Sequence, residues 1–189
     1  TEDLGMLRVI PELEITSPGD PVEVEAITRL LCNNKKPSYM RINKACEIKI
    51  HSDKLILNGD EALKVLKGSS TAVLTTGAML HSSYEFIKEH KKFWSLYSFP
   101  FLKNLKNEIL LDIFNTHKTL ITVEEHQLNG GFGSFILEKI NDLEILGLIP
   151  SRPMCYRVGI PNKFISHAGT QEFLRMESGL NLNKFLDLE

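Results

Sequence analysis

Hydrophobic strands and amphipathic helices alternate along most of this chain of 189 residues. From Thr71 onward the alternation is regular, and each apolar strand pattern precedes a helical one. Strands are predicted at residues 71–76, 93–99, 119–123 and 154–160, and helices at residues 82–91, 107–114, 134–143 and 170–179. Because a crossover helix covers one face of a parallel sheet, this order predicts an α/β fold with a mostly parallel sheet flanked by helices.

The first 44 residues contain only one strand-helix-strand unit, with strands predicted at residues 13–16 and 38–42. The helix between them has a clear start signal, because Asp20 suits an N-cap, Pro21 suits the first helical position, and Glu23 follows the cap by three residues. Below about 40 to 50 residues, burial rarely offsets chain entropy. We therefore predict three parts: residues 1–44 are a piece of one domain, residues 45–66 are a polar linker with a short helix capped by Asp60, and residues 67–189 are a complete α/β domain.

Composition and charge argue against several classes of protein. A net charge of −2 gives no basic footprint for nucleic acid. No apolar run reaches the 18 or more residues of a membrane span. Three widely spaced cysteines, Cys32, Cys46 and Cys155, fit a reducing, cytoplasmic location better than a disulfide framework. The histidines lack ligand spacing, so we expect no metal site in this chain.

The segment 119–134, TLITVEEHQLNGGFGS, contains the most concentrated candidate chemistry. Glu124, Glu125 and His126 suggest an acid/base cluster, since histidine titrates near neutrality and carboxylates tune it. Adjacent side chains of a strand, however, point to opposite faces, so the three groups do not converge without a bend. The pattern therefore favours a structural or subunit-contact role over catalysis.

Three glycines follow this strand, at positions 130, 131 and 133. A dinucleotide fingerprint needs a third small residue where helix and strand touch, but Ile136 occupies that place. The glycines therefore indicate a turn that opens a helix. Its backbone amides remain a candidate site for an anion.

Five segments in order resemble the carboxy-terminal half of transketolase-like enzymes, which use thiamine diphosphate: LGMLRVIPELEITSPGDPVEVEAI, PSYMRINK, AVLTTGAM, TVEEHQLNGGFGS and RVGIPNKFISHAGTQEFLRMESGL. The resemblance covers essentially the entire chain. It implies that residues 1–44 are the C-terminal remnant of the pyrimidine-binding domain, residues 45–66 the interdomain linker, and residues 67–189 the transketolase C-terminal domain.

The resemblance also implies a function, which is the transfer of two-carbon ketol units between sugar phosphates. The family's cofactor-activating glutamate and its Asp-Gly-x-Thr-His segment are expected upstream of Thr1. The chain alone is thus expected to be inactive, with no catalytic or cofactor-binding residues, and to serve in dimerisation and as a scaffold. Thiamine diphosphate and magnesium belong to the complete enzyme, with an N-terminal diphosphate-binding domain or subunit as partner. A homodimer is the implied assembly.

One substrate-side position of the family falls within this chain. The family places an arginine on the sugar phosphate at the end of a strand, and Lys44 stands in that place here, with Arg41 as a second candidate. Lysine binds phosphate as a point charge and lacks the bidentate fork of arginine. Arg8 is expected to pair structurally.

Two other interpretations stay open. The chain is alternatively a non-catalytic α/β interaction domain that binds a partner or an anion at the 129–131 turn. It is also compatible with the equivalent part of a 2-oxoacid dehydrogenase β subunit or of a deoxyxylulose-phosphate synthase, which share the architecture.

Overall fold

The structure is a computed structural model that describes residues 1–43, 48–52 and 54–188. The described chain forms two sheets with helices packed against them. The helices are α1 (Asp3–Leu7), α2 (Pro21–Asn33), α3 (Met79–Glu89), α4 (Asn107–Thr116), α5 (Phe132–Ile145) and α6 (Gln171–Glu177), with a 3₁₀ turn at Asn183–Phe185. The strands are β1 (Glu14–Thr16), β2 (Ser38–Met40), β3 (Leu63–Leu66), β4 (Thr71–Thr75), β5 (Ser95–Ser98), β6 (Thr119–Gln127) and β7 (Met154–Ile160).

The small sheet pairs β1 with β2 in parallel, with α2 as the crossover between them. The predicted start of α2 is confirmed, since the Asp20 carboxylate accepts a hydrogen bond from the Glu23 backbone N–H at 2.8 Å and Pro21 occupies the first turn. In a capping box the Glu23 side chain would accept from the backbone N–H of the N-cap residue, Asp20, and this second bond is replaced by another. Glu23 reaches one residue further back and accepts from the backbone N–H of Gly19 at 2.7 Å.

The large sheet has the strand order β3-β5-β4-β6-β7. Strands β4 to β7 are parallel and β3 is an antiparallel edge strand, so the prediction of a mostly parallel sheet flanked by helices is confirmed. The prediction of a short helix after Asp60 was wrong. The segment instead leads into β3, which pairs with β5. Asp60 caps no helix and instead forms an ion pair with Lys106 at 2.9 Å.

Strand β3 falls at the end of the predicted linker 45–66 and belongs to the large sheet. Part of that linker, including Cys46, lies outside the described residues. The domain boundaries themselves stay a prediction.

The two sheets are joined through the chain that follows β5. A bridge pairs Thr16 with Phe101, and the backbone N–H of Leu102 donates to Ile15 at 3.0 Å. A shared core results, in which Ile15 packs in one cluster with Phe99 and Phe101. The aromatic residues predicted for the core, Trp94, Tyr97, Phe99 and Phe101, are all buried.

In the described part of the chain, no helix combines the length and the apolar character needed to span a membrane.

Candidate functional site

Three elements meet at one end of the sheets: the end of β2, the short helix α1, and the turn between β6 and α5. We call this place the junction. Arg41, which follows β2, contacts α1 and the strand β6 that leads to this turn, because its Nη1 donates to the backbone oxygen of Glu125 at 3.0 Å and its Nε lies 3.5 Å from Asp3. The Arg41 side chain is 19% exposed. The structure therefore leaves this predicted substrate residue only partly exposed, with part of its guanidinium already engaged.

The charge of Arg41 is balanced locally by Asp3. The Tyr39 hydroxyl donates to the same carboxylate at 2.9 Å. Burial disfavours the ionised form of Asp3, but Arg41 and Tyr39 outweigh it, and the pKa of Asp3 falls below its ordinary value. Burial and the bond to Asp3 together raise the pKa of Tyr39. These contacts hold the Arg41 guanidinium in place. Its positive charge is balanced by the negative charge of Asp3, so the pair has a net charge near zero.

Lys44, the first predicted substrate residue, lies outside the described residues. Its role stays a prediction. Asn43 is the last described residue before it.

Glu124 and Glu125 of β6 point to opposite sides, as the strand period predicted. The carboxylate of Glu124 is completely buried and accepts the backbone N–H groups of Phe132 and Gly133, at 2.5 and 2.8 Å. It therefore caps the start of α5 from the neighbouring strand. Burial nevertheless raises the pKa of Glu124 to about 7, against the effect of these two hydrogen bonds.

His126 is held in one tautomer by the backbone on both sides of its ring. Its Nε2 accepts the backbone N–H of Gly5 at 3.1 Å, so Nδ1 carries the proton and donates to the Gln127 carbonyl at 2.8 Å. Burial lowers the pKa of His126, which keeps this ring neutral. These contacts tie α1 to β6 and support the structural interpretation of the Glu-Glu-His cluster.

The glycine turn is closed by the protein's own groups. A Cβ atom added at Gly131 lies 2.1 Å from Glu124 Oε2 and 2.5 Å from the Gln127 carbonyl oxygen, so only glycine fits beside the buried carboxylate. Arg8 covers the turn from α1 and donates to the Gly130 carbonyl at 2.8 Å. Since Glu124 occupies the first amides of α5, those amides are not available to an external anion or pyrophosphate.

Glu125 faces a cavity of about 610 Å³ on the other side of β6. Its carboxylate accepts from Arg175 Nε at 2.8 Å and lies 3.3 Å from the Gln171 amide nitrogen. Apolar side chains, among them Leu174 and Leu180, line the rest of the space. Sequence reasoning missed this cavity, because the residues that line it lie far apart along the chain, from Thr1 through Glu125 to Leu180.

The family comparison decides what this architecture is. Residues 60–183 match the family model described as the transketolase, C-terminal domain. The chain belongs to the transketolase C-terminal domain family. The matched range contains the whole five-stranded sheet, the glycine turn with its Glu124 cap, and α6. Expectations of fold and family from the sequence are thus confirmed.

Similar proteins extend the likeness to nearly the whole chain. A 1-deoxy-D-xylulose-5-phosphate synthase of Dehalococcoides mccartyi is 29% identical over 186 residues, which are 95% of this chain and 28% of the relative. The enzyme of that name from Caldanaerobacter subterraneus is 34% identical over 191 residues, which are 98% of this chain and 29% of the relative. The chain therefore spans less than a third of the length of these curated relatives.

Solved structures share the fold. A protein described as "Split gene transketolase, inactive beta4 tetramer" superimposes with a TM-score of 0.82 at 19% identity, over 98% of this chain and 58% of that one. Transketolase from Campylobacter jejuni gives a TM-score of 0.64 at 15% identity, over 98% of this chain and 27% of that one. The small sheet and the large sheet thus occur together in a transketolase architecture.

Proposed function

We propose that this chain is the C-terminal portion of a thiamine-diphosphate-dependent transferase that moves a two-carbon ketol unit between sugar phosphates. The observation that supports this most strongly is the family match over residues 60–183, combined with relatives that cover 95 to 98% of the chain. The likeness begins before the family domain and includes the small sheet, whose strand β2 is followed by Arg41. A second candidate is a deoxyxylulose-phosphate synthase, because that is the name of the curated relatives.

Within this proposal the chain supplies scaffold and a substrate-side edge, and no cofactor site. The buried Glu124 carboxylate is committed to the backbone of α5, and Asp3 is committed to Tyr39 and Arg41. These carboxylates therefore do not fit the binding of thiamine diphosphate. The cofactor, with magnesium, is held by an N-terminal diphosphate-binding domain or subunit, and two copies of the transketolase-like unit associate as a homodimer in the cytoplasm.

We assign the phosphate of the sugar to the edge that follows β2. Lys44 is the residue proposed to contact it, and Arg41 is the second candidate. The Arg41 guanidinium is held by Asp3 and by the Glu125 carbonyl. A guanidinium fixed in this way suits the orientation of an incoming phosphate, and Asp3 partly balances its charge. The domain division at residues 1–44, 45–66 and 67–189 belongs to the same proposal.

The test is an activity assay on the complete enzyme, with this chain assembled with the part that carries the diphosphate site. We expect ketol transfer between sugar phosphates, whereas formation of 1-deoxy-D-xylulose 5-phosphate identifies the second candidate. Lys44→Ala is expected to raise the KM for the phosphorylated substrate about 10- to 100-fold, the worth of one charged hydrogen bond. Lys49→Ala, at an exposed neighbouring position, is the matched control and is expected to leave the KM unchanged.

Three results contradict the proposal, each at a different level. Absence of both products from the assembled enzyme removes the proposed activity. An unchanged KM in Lys44→Ala, with activity intact, removes only the phosphate assignment. Isothermal titration of the chain alone with thiamine diphosphate checks the scaffold role, because micromolar binding to this chain contradicts it.

A further inference from the structure

A buried cluster of two carboxylates and one imidazole lies away from the junction, where α2 begins. Asp20 and Glu23 come from the start of α2, and His51 comes from the segment 48–52 that follows the small sheet. The carboxylate side chains are 0% exposed, and the imidazole is 12% exposed. One ligand-type atom of each residue lies within 4.8 Å of the other two.

The separations of these atoms fit a bound metal ion. His51 Nδ1 lies 3.2 Å from Asp20 Oδ2 and 3.7 Å from Glu23 Oε1. A tetrahedral ion with bonds of about 2.0 to 2.2 Å separates its ligand atoms by about 3.3 to 3.6 Å. The two measured separations therefore bracket the edge of such a tetrahedron.

Unsatisfied atoms point to the same conclusion. Glu23 Oε1 accepts no hydrogen bond of normal geometry, although the Ser98 hydroxyl and His51 lie beside this carboxylate. His51 Nδ1 faces Asp20 Oδ2, and His51 Nε2 is buried with no hydrogen-bond partner among the described residues. Buried polar atoms are nearly always paired, so two such atoms in one cluster, Glu23 Oε1 and His51 Nε2, indicate a missing ligand.

The surroundings hold the ligand groups as a metal site requires. Asp20 is oriented by three backbone N–H groups, from Glu23, Ile50 and His51, at 2.8 to 2.9 Å. The second oxygen of Glu23 is oriented by the Gly19 N–H. Hydrogen bonds of this kind fix the carboxylates of metal sites. Two carboxylates that share one buried site also favour a cation between them.

We propose that Asp20, Glu23 and His51 bind one divalent transition-metal ion of the zinc type. Two oxygens and one imidazole nitrogen suit Zn²⁺, whereas Mg²⁺ and Ca²⁺ take oxygen ligands. The ion ties the segment 48–52 to the first turn of α2, so its role is to lock the connection between the two sheets. The histidine spacing in the sequence hid this site, because His51 lies 28 residues beyond Glu23 and approaches it only in the fold.

The experiment uses the purified full chain, stripped with a chelator and dialysed. Titration with ZnCl₂, with bound metal counted by mass spectrometry, is expected to give one ion per chain, and Co²⁺ is expected to give the intense visible absorption of a tetrahedral site. Excess Zn²⁺ at about 100 times its Kd is expected to raise the Tm by about 5 to 10 °C. MgCl₂ at the same concentration is expected to do neither.

Glu23→Gln and His51→Asn are each expected to weaken Zn²⁺ binding by at least ~100-fold. The matched control is His81→Asn, which removes a histidine outside the cluster, 3.8 Å from Glu85, and is expected to keep wild-type binding. Circular dichroism confirms folding of each variant. If Glu23→Gln fails to fold, His51→Asn decides, because His51 lies in a loop and is less buried than Glu23. The proposal is overturned by any of three results: substoichiometric binding by the wild type, undiminished binding by His51→Asn, or equal binding of Mg²⁺. The cluster then binds no metal ion and is a hydrogen-bonded group of titratable side chains.

Discussion

Gly131→Ala is the sharpest test of how the glycine turn is built. The added methyl group meets Glu124 Oε2 at 2.1 Å, the Gln127 carbonyl oxygen at 2.5 Å and His126 Nδ1 at 2.7 Å. No rotation of a flexible side-chain end relieves all three contacts, because Glu124 is pinned by two backbone N–H groups and one contact is backbone. Overpacking costs about 1 to 3 kcal/mol. Displacement of Glu124 adds about 1 to 2 kcal/mol for the lost cap.

We therefore expect Gly131→Ala to lower the free energy of unfolding by about 3 kcal/mol. For a chain of this size that corresponds to a decrease in Tm of about 6 to 12 °C. The control is Gly147→Ala, because Gly147 has a φ of 69° and no atom within 4 Å of the added Cβ, so only the backbone cost of about 1 kcal/mol remains. Calorimetric melting of both variants measures the difference. Equal Tm values for Gly131→Ala and Gly147→Ala would falsify the argument that the buried carboxylate dictates glycine here.

Two further predictions concern the same region. The pKa of Glu124 is raised from 4.5 to about 7 in the folded state, so its contribution to stability is complete below pH 4.5 and is lost as the pH rises through 7, a change of about 3 kcal/mol. Urea titrations of the wild type and Glu124→Gln between pH 4.5 and 8 check this, since the variant lacks that part of the slope; parallel pH curves contradict it. Arg8→Ala removes the bond to Gly130 and the pair with Glu138, and we expect a loss of about 1 to 2 kcal/mol in thermal melts. Arg29→Ala, which removes an exposed pair on α2, is the control, with a change below about 0.5 kcal/mol; a similar loss in both variants tells against the docking role of Arg8.

The elements that the sequence predicted well are those with strong local signals. Asp20 and Pro21 marked the start of α2, and the apolar run of β6 marked a buried strand. Helix α1 escaped prediction because it has five residues and no side-chain cap. Strand β3 was assigned wrongly because its partner β5 lies 30 residues away, and pairing with it outweighs the local cap signal.

The same contrast holds for the site. The strand period was enough to predict that Glu124 and Glu125 point apart, which the structure confirms. The contact of Arg8 with Gly130 spans 122 residues, and that of Arg175 with Glu125 spans 50. No local pattern encodes contacts of this length, because they arise only when the sheet brings distant strand ends to one edge.

Glu124 and Glu23 pose the same physical problem, a carboxylate buried beside the start of a helix, and the fold solves it differently. Both oxygens of Glu124 accept backbone N–H groups, so this side chain needs nothing from outside the chain. Only one oxygen of Glu23 is bonded in this way, and the other faces His51. A carboxylate with complete hydrogen bonding caps a helix, whereas one left half-bonded opposite an imidazole is arranged to receive a cation. This difference is the reason why we propose a bound ion at the start of α2 and not at the glycine turn.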